Sequence, residues 1–187
     1  MKLQGRLFIE KAIERGMNLK EILQDKRPAI VKKWFETVLD TYHEDARGPM
    51  RRQAAQFTNP VGFNISQGTE GLFDALLQGM LPDTVSTFLD SIIRIRAIQD
   101  FSPSQALAFI FQLKKIIRAE LGKDQIQDRR IAEELTAFDA VIDELALFAF
   151  DIYMKCRESI YDIKAKEARN MTFRLLQKAQ LITGQQE

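Results

Sequence analysis

Residues 131–156 read IAEELTAFDAVIDELALFAFDIYMKC, and this stretch decides the fold. Its apolar members Ile131, Leu135, Phe138, Ile142, Leu145, Ala149, Ile152 and Cys156 are separated alternately by four and three residues. A strand returns to one face every second residue and a helix every third or fourth. The spacing therefore predicts an amphipathic helix with a heptad-like seam. From Lys123 to Thr183 there is neither Gly nor Pro, so nothing in the composition stops this helix. Fully helical, the segment would be roughly 90 Å long, whereas a compact domain of this size has a radius of gyration of only about 16 Å. Either the helix breaks where its apolar phase slips, at Lys164 to Asn170, or its end projects beyond the domain. A projecting end would carry a second stripe of Ala168, Met171, Leu175, Ala179 and Ile182.

Working back from that stretch, every apolar run reads as a helix. Ser102-Pro103-Ser104-Gln105 has the form of a capping box with proline in the first turn. The helix it opens is apolar on most sides through Leu107, Phe109, Ile110, Phe111, Leu113, Ile116 and Ile117, which places it centrally. Gly122 is expected to end it. Residues 84–100 carry a stripe of Val85, Phe88, Leu89, Ile92 and Ile95 behind the turn Leu81-Pro82-Asp83. Ser66 is read as the N-cap of a helix running to about Gln78, with Leu72, Phe73, Leu76 and Leu77 inward. Gly68 and Gly71 on that helix mark either a close approach to another backbone or a weakly formed first turn. Residues 44–64, with Gly48, Pro49, Pro60 and Gly62, form the longest irregular stretch and hold Arg47, Arg51 and Arg52. Val31, Trp34, Phe35, Val38, Leu39 and Tyr42 define a strong helix with Pro28 in its first turn. Leu19, Ile22 and Leu23 begin the preceding pattern, and residues 3–15 form a short helix stopped by Gly16. Six or more α-helices and no sheet are expected, in one domain of residues 17–163. Residues 1–16 are an N-terminal helical arm and 164–187 a C-terminal helical extension.

The bulk numbers exclude several classes of function. Hydrophobic residues make up 45% and charged residues 28%, which is globular rather than disordered composition. The net charge of +1, from 27 basic and 26 acidic side chains, leaves no excess for neutralising phosphates, so no nucleic-acid partner is expected. The longest apolar run, Leu145 to Ile152, is too short to span a bilayer, and no signal peptide is read at the N-terminus. A lone cysteine, Cys156, excludes an internal disulfide and fits the cytoplasm. The simplest place for it is in the core, as a small hydrophobe.

Catalytic and metal chemistry lacks its residues. His43 is the single histidine, and one His with one distant Cys does not make a zinc site. A triad would have to use His43, and nothing around it resembles a nucleophile turn. The neighbouring Glu133 and Glu134 diverge on a helix, as do Asp143 and Glu144. No phosphate loop is present. The chain is read as a non-enzyme with no metal and no cofactor. One polar constellation stands out: Arg94, Arg96, Gln99, Asp100, Ser102 and Gln105, with Asn59, Asn64, Ser66 and Gln67. Arg96 follows Ile92 by four residues, within the apolar stripe, and must find partners there; Asp100 is the nearest. The cluster is either a ligand or partner site or a buried Arg–Asp pair that fixes the corner into Ser102.

Three strings carry a family resemblance: Asn59-Pro60-Val61-Gly62-Phe63-Asn64-Ile65-Ser66-Gln67-Gly68, Arg96-Ala97-Ile98-Gln99-Asp100-Phe101-Ser102-Pro103-Ser104-Gln105, and Trp34-Phe35 with Leu39-Asp40-Thr41-Tyr42. Together they resemble the N-terminal domain family of RsbRD-type RsbT co-antagonist proteins, from about Met17 to about Ile163. The resemblance implies a globin-like helical sensor fold without haem. In such relatives a STAS output domain follows and engages the RsbT kinase. The roughly 25 residues past Ile163 are too few for such a domain, so an adaptor or sensor role through protein contacts is expected rather than co-antagonism itself. A globin-type haem would also need a proximal ligand. His43 lies too early in the chain, and Tyr153 and Tyr161 lie on the last helix. Sensors of this family pair, so a homodimer is expected through Met171, Leu175, Leu176 and Ile182, alongside an unidentified protein partner. The rival reading is a small-molecule or cofactor carrier with a polar pocket near Arg94–Gln105.

Overall fold

The computed structural model describes residues 17–51, 59–79, 82–99 and 101–179, and no strand occurs among them. They form seven helices: α1 (Leu19–Asp25), α2 (Arg27–Leu39), α3 (Glu44–Arg51), α4 (Pro60–Leu77), α5 (Pro82–Ile98), α6 (Pro103–Gln127) and α7 (Arg129–Lys178). The fold is all-α. Helix α4 packs along α5, and α6 along α7. Helix α7 also lies on α5, and α2 bridges α4 and α6.

The core sits where these pairs meet. Trp34 on α2 is fully buried, stacks on Phe109 of α6 with ring centroids 5.9 Å apart, and donates its indole N–H to the Phe109 carbonyl at 2.8 Å. An apolar ring with a satisfied polar tip is the stable way to bury a tryptophan. Around it lie Leu23, Ile30, Leu72, Leu89, Ile92, Ile110, Leu113, Ile142 and Leu145. The apolar residues read from the sequence for α2, α6 and α7 supply most of this core. Three partly escape it: Phe111 is exposed, and Ile116 and Phe138 are half-buried.

Local starts follow side-chain chemistry. Asn18 and Glu21 form a capping box on α1, and Ser102 and Gln105 form the expected one on α6. Helix α4 begins seven residues before the expected start. Its cap is Asn59, whose side chain accepts from the Gly62 N–H at 3.0 Å, with Pro60 in the first turn. Ser66 is therefore not a cap but a buried residue inside α4.

The stretch expected to be irregular contains α3, which runs through Gly48 and Pro49. Arg47 holds it by donating to the Tyr42 and Asp40 carbonyls, and Arg51 by its pair with Glu36 at 2.8 Å. Gly68 and Gly71 mark close approach. A Cβ on Gly68 would lie 2.6 Å from Ile92 Cδ1 and 3.3 Å from the Phe88 carbonyl oxygen, and one on Gly71 would strike the Phe88 ring. Gly122 breaks the path of α6 with φ of +76°, but a further helical stretch follows it to Gln127. Asp128 then caps α7 by accepting from the Arg130 and Ile131 N–H groups.

Helix α7 does not break at Lys164 to Asn170. It is continuous over 50 residues, which is about 75 Å. Its buried positions end at Cys156, and every residue from Tyr161 to Leu175 is exposed.

Candidate functional site

Three places in this fold carry more than packing. The first is the corner between α5 and α6. Arg96 is the only charged side chain among the described residues that is fully buried. Its Nε donates to the Ala106 carbonyl at 3.0 Å, one terminal nitrogen to the Gln105 carbonyl at 2.9 Å, and the other to the Thr41 hydroxyl at 3.0 Å. The guanidinium carbon lies 4.3 Å from the centroid of the Phe101 ring, 5.5 Å from that of Tyr42 and 5.6 Å from that of Phe109. Rings that present their negative faces to a cation offset part of its lost hydration. Among the described residues no carboxylate reaches Arg96, and Asp100, the expected partner, lies outside them. Burial pulls the Arg96 guanidinium below its ordinary value, against the opposing influence of Tyr42. Burial pushes the Tyr42 phenol up, and Arg96 opposes this. The Tyr42 hydroxyl is buried with no hydrogen-bond partner among the described residues.

The expected site residues take distinct local jobs around this corner and at the start of α4. Arg94 points outward and pairs with Asp90 one turn earlier on the same helix. Ser102 and Gln105 are exposed and close the α6 cap. Asn59 caps α4 and also donates to the Pro49 and Met50 carbonyls at 2.9 and 3.0 Å. Asn64 is half-buried on α4, Gln67 is exposed, and Ser66 reaches the Glu70 carboxylate at 3.4 Å. Gly62 is required by the cap itself, since a Cβ there would collide with the Asn59 side chain and the Met50 carbonyl. At the corner, the rings of Tyr42, Phe101 and Phe109 lie around the Arg96 guanidinium.

The second place is the point where α7 leaves the domain. Tyr153 donates its hydroxyl to the Phe101 carbonyl, and Arg157 donates to the Ala97 carbonyl at 3.0 Å. Arg157 also donates to the Tyr161 hydroxyl at 2.9 Å and lies over that ring. The last helix thus grips both sides of the Arg96 corner immediately before it projects. Along α7, through the grip and past it, Leu147, Met154, Tyr161, Ala168 and Leu175 recur at intervals of seven, all exposed, on the side of α7 away from its buried stripe. Leu147 is 70%, Tyr161 57% and Leu175 64% exposed. Of the residues expected to pair copies, Met171 and Leu175 are exposed, Leu176 is half-buried, and Ile182 lies outside the described residues. Sequence reading placed its lower members, Ala168 and Leu175, in a second stripe but missed that the line continues upward through Tyr161, Met154 and Leu147, although the seven-residue interval was there to be counted.

The third place is a groove of about 440 Å³ between α2 and α4, lined by Arg27, Val31, Lys32, Phe35, Glu36, Arg51, Ser66 and Glu70, among others. Sequence reading missed it because its walls lie on three separate helices.

Groups that could ligate a metal or haem are dispersed. His43 is an exposed helix-end residue paired with Asp45, and the Tyr153 hydroxyl is engaged with a carbonyl. Among the described residues no three His, Cys, Asp or Glu side chains converge. Cys156 is buried, and that burial pushes its thiol up, with Arg94 opposing and Asp90 adding to the shift. No helix among the described residues is long and apolar enough to cross a membrane.

The family described as the RsbT co-antagonist protein rsbRD N-terminal domain matches residues 28–167. The chain belongs to this family. The match runs from the first turn of α2 well into α7, so it takes in the Arg96 corner, the α4 cap and the exit of the last helix. The family is a regulatory one. The chain is also 30% identical, over 107 residues, to an "Uncharacterized protein" of Archaeoglobus fulgidus, covering 55% of this chain and 66% of that one. It thus spans just under two thirds of the relative's length. No solved structure matches the chain.

Proposed function

We propose that this member of the RsbRD N-terminal family is a non-enzymatic sensor or adaptor domain that signals through protein contacts. In this reading α7 is its output, and a second copy of the chain covers the exposed face of that helix. The carrying observation is the projecting part of α7, wholly exposed from Tyr161 to Leu175 and apolar at intervals of seven. Apolar residues repeating every seventh position on a bare helix are the pattern that supercoils with another helix. An uncovered stripe of this length ordinarily marks an interaction site. The family's name ties its members to RsbT co-antagonists, which supports a stressosome-type client as the further partner. A reducing cytoplasm suits the single buried thiol.

Light scattering coupled to size exclusion tests the pairing. The full chain at tens of micromolar should elute with the mass of a dimer. The double variant Tyr161→Asp, Leu175→Asp should elute as a folded monomer. A wild-type monomer, or a variant that still pairs, would remove the dimer from the proposal.

A further inference from the structure

The groove between α2 and α4 has the size of a small-molecule site, within the range of about 300–1,000 Å³ such sites occupy. Its floor is apolar: Val31 and Phe35 are buried side chains that form part of its lining. Its rim is charged, with Arg27, Lys32 and Arg51 beside Glu36 and Glu70, and with Asp74 and Asp40 paired to the two arginines.

The carboxylates are already engaged. Glu36 holds Arg51 at 2.8 Å, and Glu70 lies 3.8 Å from Arg27 and 3.4 Å from the Ser66 hydroxyl. Arg27 is fixed by two bonds to Asp74, at 2.5 and 2.8 Å, which raise its pKa and hold it as a wall of the groove. Lys32 has no partner among the described residues. Arg51 spends Nε on Glu36, and one terminal nitrogen stands 3.6 Å from Asp40. A guanidinium has five N–H donors in a planar fork, so Arg51 retains donors for a second acceptor.

We propose that this groove binds a small organic anion, a carboxylate or phosphate monoester on an apolar body. The body lies on Val31 and Phe35, and the anionic group lies between Lys32 and Arg51. A cationic ligand would have to displace Arg51 or Arg27 from carboxylates they already hold, whereas an anion meets a lysine with nothing opposite it. The proposal deepens the sensor reading by naming a ligand class, and rests on that reading only for the consequence of binding.

The test is a titration of the full chain with benzoate and with phenyl phosphate, followed by amide ¹H–¹⁵N resonances, with benzamide as the neutral counterpart. Saturable shifts are expected at Lys32, Phe35, Arg51 and Ser66, and not at the Arg96 corner. The relative response to the two anions tells carboxylate from phosphate preference. Lys32→Glu with Arg51→Glu should weaken binding by about tenfold or more, since the attraction becomes repulsion. Lys32→Gln leaves every ion pair of the groove in place and should weaken it less, which guards against a misfolded double variant. Absence of saturable shifts with both anions, equal binding of benzamide, or undiminished binding by both variants would overturn the assignment. The titration reads binding whether or not the chain pairs, so failure of the groove and failure of the dimer are distinguishable.

Discussion

Arg96 carries a positive charge into the core, where three acceptors and three aromatic faces receive it. Two of the acceptors are carbonyls in the first turn of α6, and the third is Thr41 at the end of α2. The residue therefore ties three helices together and acts as a fastener. Arg96→Ala would leave a cavity and bare acceptors, at a cost of about 3 kcal/mol. A urea titration followed by the fluorescence of the single tryptophan, Trp34, should show the midpoint fall; an unchanged midpoint would contradict the buried geometry. Tyr42 behaves oppositely. Its hydroxyl is buried without a partner among the described residues, so Tyr42→Phe should be neutral or stabilising by up to about 1 kcal/mol. The same substitution should alter the response to alkali. The folded pKa of Tyr42 is raised by burial. Below the unfolded value of about 10 both states hold the proton and the contribution is whole. As pH rises past that value the unfolded chain ionises first, and stability is lost until the folded value is reached. Tyr42→Phe should flatten that alkaline loss, measured by denaturation at a series of pH values.

At the scale of helices, α4 and α5 come close because α4 offers glycine where α5 offers Ile92 and Phe88. Replacing either glycine by alanine gains about 1 kcal/mol of helix propensity, but the neighbours decide the sign. At Gly68 the obstacle is Ile92, fully buried, with a backbone carbonyl behind it, so Gly68→Ala should destabilise by about 1–2 kcal/mol. At Gly71 the obstacle is the far edge of the half-buried Phe88 ring, which can turn outward, so Gly71→Ala should be nearly neutral. Thermal midpoints of the two variants should differ in that order. The elements that were legible in the sequence share a cause: α2, α6 and α7 announce themselves by apolar period and by the Ser102–Gln105 box, signals that depend only on neighbours along the chain. Asn59-Pro60 was equally local, a cap followed by a first-turn proline, but Ser66 and the glycines drew the start of α4 too far along. Helix α3 could not be read, because the bonds that hold it against Gly48 and Pro49 come from Asp40, Tyr42, Glu36 and Asn59. The α2–α4 groove was beyond reach for the same reason. Arg96 was legible as a buried arginine, but its acceptors were not, since they lie on helices whose placement no spacing rule gives.

At the scale of the molecule, the domain and its projecting helix are separable. The buried positions of α7 end at Cys156, so removing residues 165–187 takes away no core residue among those described. The truncated chain should keep its helical circular dichroism and elute as a monomer. Loss of the domain's fold on truncation would mean that the projecting end supports its own domain. The continuity of α7 has a further consequence, one of angular phase. A helix turns by about 100° per residue, so the gripped half at Tyr153 and Arg157 and the bare half at Ala168 and Leu175 keep a fixed azimuth relative to one another. One alanine inserted after Lys164 would swing the lower stripe by about 100° and take it out of line with Leu147 and Met154, whereas seven inserted alanines would restore the line to within about 20°. Pairing that fails with one added residue and returns with seven would show that the rod transmits orientation, and that its output is read as a direction around its axis rather than as a distance along it.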